Sequence, residues 1–80
     1  MRAHPYHCIA LAETAIVLAV RDSKRAALRS AVRIARDRHC AVTIWRTVAR
    51  PKPGAVMSPR RATLLIRYDA ARAERQKPRS

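Results

Sequence analysis

From Ser23 to His39 the chain sorts its alanines and arginines onto opposite sides of a helix, and this pattern limits the folds open to it. At about 100° per residue, Ala27, Leu28, Ala31, Ile34 and Ala35 fall on one side, with Val32 at its edge. Arg25, Arg29, Arg33 and Arg36 fall within an arc of about 80° on nearly the opposite side. Asp22 and Ser23 supply N-cap oxygens just ahead, so the spacing predicts a helix over Lys24 to His39. An apolar face made mostly of alanine lets such a helix lie close against a sheet, with an arginine ridge turned outward.

The flanking segments supply the sheet. Tyr6 to Ala12 and Thr14 to Arg21 are short apolar runs with Glu13 near the bend, and the second is rich in β-branched residues. A single alanine-rich helix over Ile9 to Val20 competes with two strands, because no Asn-Gly or Gly turn marks a hairpin. Beyond the helix, Ala41 to Arg50 alternates as a strand does. Val42, Ile44 and Val48 share one face, while Thr43, Trp45 and Thr47 share the other. Pro51-Lys52-Pro53-Gly54 breaks the pattern, and the stretch through Arg61 reads as a long basic loop. Ala62 to Tyr68 reads as a last strand.

The order β-β-α-β-β predicts an α+β fold, a small antiparallel sheet with one packed helix. Its second sheet face is expected to stay open to water, a partner or a second copy of the chain. Eighty residues leave room for one core. The expected organisation is an N-terminal extension over residues 1–5, a single domain over 6–69 and a partly disordered basic tail over 70–80. With no Phe, one Trp and two Tyr, that core must rest on Ile, Leu and Val.

Charge narrows the function. Lys and Arg number 18 against 5 Asp and Glu, a formal net charge of +13. Such an excess resists compaction and favours nucleic acid, anionic lipid or an acidic protein face. Only Asp37 supplies an acid between Ser23 and Arg67, whereas a merely solvated face interleaves both signs. The ridge of Arg25, Arg29, Arg33 and Arg36 is therefore read as a binding surface. Lys52, Arg60 and Arg61 on the loop join it, as do Arg72, Arg75, Lys77 and Arg79 in the tail, to track a phosphate backbone. Trp45 has two readings. It stacks on a base or fills a partner's pocket if its face is open, and it belongs to the core if large side chains are as scarce as they look.

Other chemistries find little support. Glu13, Asp22, Asp37, Asp69 and Glu74 show no pairing for acid–base work, so no catalytic residue is expected. His7-Cys8 and His39-Cys40 are poor chelating pairs, since adjacent strand residues point to opposite faces, and no metal or other cofactor is expected. Their spacing neither requires nor forbids a Cys8–Cys40 disulfide. A small ribonuclease of the toxin type, using Arg, His and Tyr, stays as a minor alternative. One glycine, Gly54, cannot build a phosphate loop or a Gly-x-x-Gly clamp, and the aromatic signature of an RNA-recognition motif is missing. The apolar stretch Cys8 to Val20 is too short to span a bilayer and is interrupted by Glu13, so no membrane association is expected.

The run Leu28-Arg29-Ser30-Ala31-Val32-Arg33-Ile34-Ala35-Arg36-Asp37-Arg38-His39-Cys40 resembles the helix region of short type I-F anti-CRISPR proteins of phages and mobile elements. The likeness lies in Leu28, Ala31, Arg33, Ile34, Ala35 and Cys40, and the long basic loop and tail depart from it. It implies a non-enzymatic inhibitor in the cytoplasm of a bacterial host. Such an inhibitor docks on Cas subunits and blocks target DNA, with Arg33 as a contact. The expectation is thus a basic binding protein that inhibits or modulates a nucleic-acid-containing complex, with a direct low-specificity DNA- or RNA-binding module as the alternative. No small-molecule substrate is expected.

Overall fold

The computed structural model of the chain describes residues 5–70. Four strands, β1 (Tyr6–Leu11), β2 (Val17–Arg21), β3 (Ala41–Thr47) and β4 (Thr63–Asp69), form one antiparallel sheet in the order β2-β1-β3-β4. The single helix, α1 (Lys24–Arg38), follows β2 and crosses one face of that sheet. The expected α+β class and β-β-α-β-β order are both present. The tail cations Arg72, Arg75, Lys77 and Arg79 lie outside the described residues.

The hairpin between β1 and β2 forms without glycine because Ala15 takes the left-handed conformation, at φ 60°. Its N–H donates to the Leu11 carbonyl at 2.8 Å, and the Leu11 N–H donates to the Ile16 carbonyl at 3.0 Å. The turn residues Ala12, Glu13 and Thr14 therefore close a tight loop, and the competing helix over Ile9 to Val20 does not form.

Helix α1 starts and stops where its side chains dictate. Ser23 is extended and its Oγ accepts from the Ala26 N–H at 3.1 Å, a standard N-cap. The helix ends one residue earlier than its spacing suggested, because His39 turns left-handed at φ 50°. The Cys40 N–H then donates to the Ala35 carbonyl at 3.1 Å, and the His39 N–H to Arg36 at 3.4 Å, the bond pair of a Schellman cap.

Ala27, Ala31 and Ala35 are fully buried on the sheet against Ile9, Val42 and Ile44. Leu28 and Ile34 close the flanks of this contact. A register shift between β3 and β4 lets both Leu65 and Ile66 reach this helix-side cluster. Here the alanine face decides the packing: small side chains on the helix meet large ones on the sheet.

The opposite face of the sheet differs from expectation. It is roofed by the connection between β3 and β4, whose Ala55, Met57 and Ala62 pack with Cys8, Ala10, Val17 and Trp45 in a second apolar cluster. The Gly54 N–H donates to the Val17 carbonyl, the Val17 N–H to Ala55 and the Met57 N–H to Ala15, so the loop also laces the start of β2. A sheet with an apolar second face is covered by its own chain because exposed apolar area is costly. Strand β3 also stops at Thr47, so Val48 leaves the face it was expected to share with Val42 and Ile44 and lies 68% exposed.

Candidate nucleic-acid interface

Docking through its alanines turns the rest of α1 outward. Arg25, Arg29, Arg33 and Arg36 are all exposed, on consecutive turns of a capped and rigidly packed helix. No ion pair among the described residues engages any of the four. From Arg25 to Arg36 the ridge is about 16 Å long at 1.5 Å per residue. That is the axial rise of about five phosphates along one strand of duplex DNA.

The loop cations Lys52, Arg60 and Arg61 are exposed as well, yet the structure does not bring them to the ridge. They belong to the segment that roofs the far face, and the Arg61 carbonyl accepts from the Thr47 hydroxyl there at 3.5 Å. The sheet stands between the two cationic sets. The sequence could not show this separation, because it depends on which face each connection crosses.

Trp45 takes the second of its two readings. It is 7% exposed in the far-face cluster, and its Nε1–H donates to the Thr43 hydroxyl at 2.8 Å. That hydroxyl in turn donates to the Ala10 carbonyl at 3.3 Å. The ring is held under the loop and offers no open stacking surface.

The two His-Cys dipeptides end up far from one another in role. Cys8 is buried on the far face and Cys40 packs against the helix-side cluster, and both are free thiols. Burial pushes the Cys8 thiol up from its ordinary value, which suits an inert core sulfur. His39 and Cys40 line a shallow cavity of about 340 Å³ at the C-terminal end of α1, together with Glu13, Arg67 and Asp69. Among the described residues no three His, Cys, Asp or Glu side chains are grouped to hold a metal ion. No helix among them is long and apolar enough to cross a membrane.

One group of residues escaped the sequence reading. His7 on β1 lies opposite Arg21 of β2 and Arg46 of β3, so the three side chains share a row on the helix-facing side. His7 is 8% exposed and its Nδ1 is buried without a hydrogen-bond partner. Burial lowers its basicity first, and the positive charges of Arg46 and of Lys24, the first residue of α1, lower it further. Only the register across three strands assembles this row, and no local spacing in the sequence announces it.

No known protein family, curated protein or solved structure matches this chain.

Proposed function

We propose that the chain is a non-catalytic basic binding protein that engages the phosphate backbone of a nucleic acid, held within a nucleoprotein complex, through the outer face of α1. The observation that carries this reading is the ridge itself: four exposed arginines on one rigid face, none paired with an acid among the described residues. Arginine pairs two-pronged with phosphate, and a docked helix loses little further freedom on binding. With the far face of the sheet roofed by its own loop, no open sheet face is left there for such a partner, and the four arginines of α1 lie together in one row on one element.

A finer form of the proposal makes the chain an inhibitor that keeps a Cas surveillance complex off its target DNA. It rests on the likeness of residues 28–40, and Arg33 is the position that belongs to both the likeness and the ridge. One experiment tests both levels. The tagged chain is used to capture partners from a bacterial lysate with and without nuclease, beside the variant carrying Arg29→Ala and Arg33→Ala. Defined Cas or other nucleoprotein subunits that survive nuclease and vanish with the variant support the inhibitor. Capture that is abolished by nuclease supports a direct backbone binder and removes the inhibitor reading. Capture that the variant leaves intact would overturn the role of the ridge.

A further inference from the structure

The end of the sheet where α1 begins collects unbalanced positive charge around a buried polar group. Arg21, His7 and Arg46 follow one another across β2, β1 and β3, on partners about 5 Å apart in such ladders. Lys24 lies close enough for its charge to act on the His7 ring together with that of Arg46. The Arg21 guanidinium is already fixed: Nε donates to Ser30 Oγ at 3.0 Å and Nη1 to the Val20 carbonyl at 2.8 Å. Its second amino group, Nη2, is uncommitted.

The helix end adds donors of its own. Ser23 Oγ caps Ala26 and the Ser23 carbonyl takes the Ala27 N–H, which leaves the N–H groups of Lys24 and Arg25 without an intrahelical acceptor. No acidic residue stands in the first turn to balance them, and Asp22, just before the cap in sequence, is exposed. An unpartnered, nine-tenths buried imidazole under the charges of Arg46 and Lys24 is the feature that marks this corner as a site for a group the described residues do not supply.

We infer that this corner is a discrete oxyanion site that takes one phosphate group. Arg21, Arg46 and Lys24 supply the side-chain donors, and the free N–H groups at the start of α1 supply the backbone donors. A helix N-terminus with unmet N–H groups favours such an anion, and charge-assisted hydrogen bonds to phosphate are the strong ones. The site goes beyond the ridge reading. It lies at the end of the sheet rather than on the outward side of α1, and either can fail without the other.

The phosphate can come from a nucleic-acid backbone or from a small free anion, and the titration separates these. Inorganic phosphate is titrated into the ¹⁵N-labelled chain at fixed ionic strength, with chloride as the balancing ion, and then a short single-stranded oligonucleotide is titrated in the same way. The expected result is saturable movement of the Lys24 and Arg25 amides together with the His7 ring. Binding also cancels part of the field of Arg46 and Lys24, so the His7 titration midpoint moves up. Arg46→Gln and, separately, Lys24→Gln weaken phosphate by about tenfold, the scale of a lost charge-assisted hydrogen bond. Both positions are exposed, and unchanged unfolding midpoints verify that the variants are folded. Tighter saturation by the oligonucleotide identifies a backbone phosphate, and tighter saturation by inorganic phosphate identifies a free anion. In the titration with inorganic phosphate, shifts that never saturate, or that spread equally over Arg29, Arg33 and Arg36, mean screening alone and overturn the site.

Discussion

His7 is the side chain whose surroundings make the firmest claim about stability. Its ring is buried, and the charges of Arg46 on β3 and Lys24 on α1, of the same sign as its own protonated form, act on it. The fold therefore holds it neutral, with its pKa below the ordinary 6.5 that the unfolded chain retains. Between those two values the unfolded state binds a proton that the folded state refuses, so stability rises with pH across that window. Lowering the pH through 6.5 costs stability, and the loss levels off once the folded-state pKa is passed. Urea midpoints at pH 7.5 and 5.5, taken in phosphate-free buffer, should fall in that order. His7→Gln, neutral throughout, should remove most of the difference. An unchanged slope in that variant places the proton elsewhere. The contrast with Trp45 is instructive at this scale, because there the one buried donor is met by Thr43 and the cluster around it is complete.

Helix α1 carries both the packing and the candidate site, and its alanines connect the two. Ala27, Ala31 and Ala35 put only methyl groups between the helix and the sheet's side chains, which fixes the rotation of α1 and so the direction in which its arginines point. Ala31→Leu adds volume at the centre of that contact, where Ile9, Val42 and Ile44 are already close-packed. The expected cost is about 1–3 kcal/mol, since overpacking forces side chains off their rotamers or lifts the helix. A chain of this length has only about 4–12 kcal/mol in total. Thermal or urea unfolding of the variant checks this, and a midpoint equal to wild type contradicts close docking.

The helix was legible in the sequence because its 3.6-residue period and its Ser23 cap are local. The β1–β2 hairpin was ambiguous for a local reason too, since Ala15 fills a left-handed position usually given to glycine. The roof over the far face was not legible. Ala55, Met57 and Ala62 follow no period, and a Pro-containing basic loop gives no sign that its few apolar residues point inward. The row of Arg21, His7 and Arg46 was hidden for a third reason, because only cross-strand register brings it together.

At the scale of the whole molecule, the cations of the described residues are divided by the sheet into separate surfaces, and the division changes what binding should look like. The sequence suggested that the ridge and the loop cations act as one track along a phosphate backbone. The fold sets α1 on one side and the segment with Arg60 and Arg61 on the other. A straight nucleic acid lying on the ridge cannot also reach both of those loop arginines. Each arginine–phosphate contact releases counterions and adds about 0.9 to the slope of log affinity against log salt on duplex DNA, or about 0.7 on a single strand. Replacing Arg29 and Arg33 together by Ala should therefore lower that slope by about 2 on a duplex, with the melting temperature nearly unchanged, because both side chains are exposed. Replacing Arg60 and Arg61 by Ala removes the same charge from the far side, and the slope should then stay near its wild-type value. Binding isotherms over a range of salt concentrations for the three proteins decide the matter. Equal losses in both variants would mean that the target wraps around the sheet's edge and that the ridge alone is too small a footprint. A loss confined to the loop variant would move the interface to the far face. A loss of melting temperature in the ridge variant, without a change in slope, would make those arginines structural.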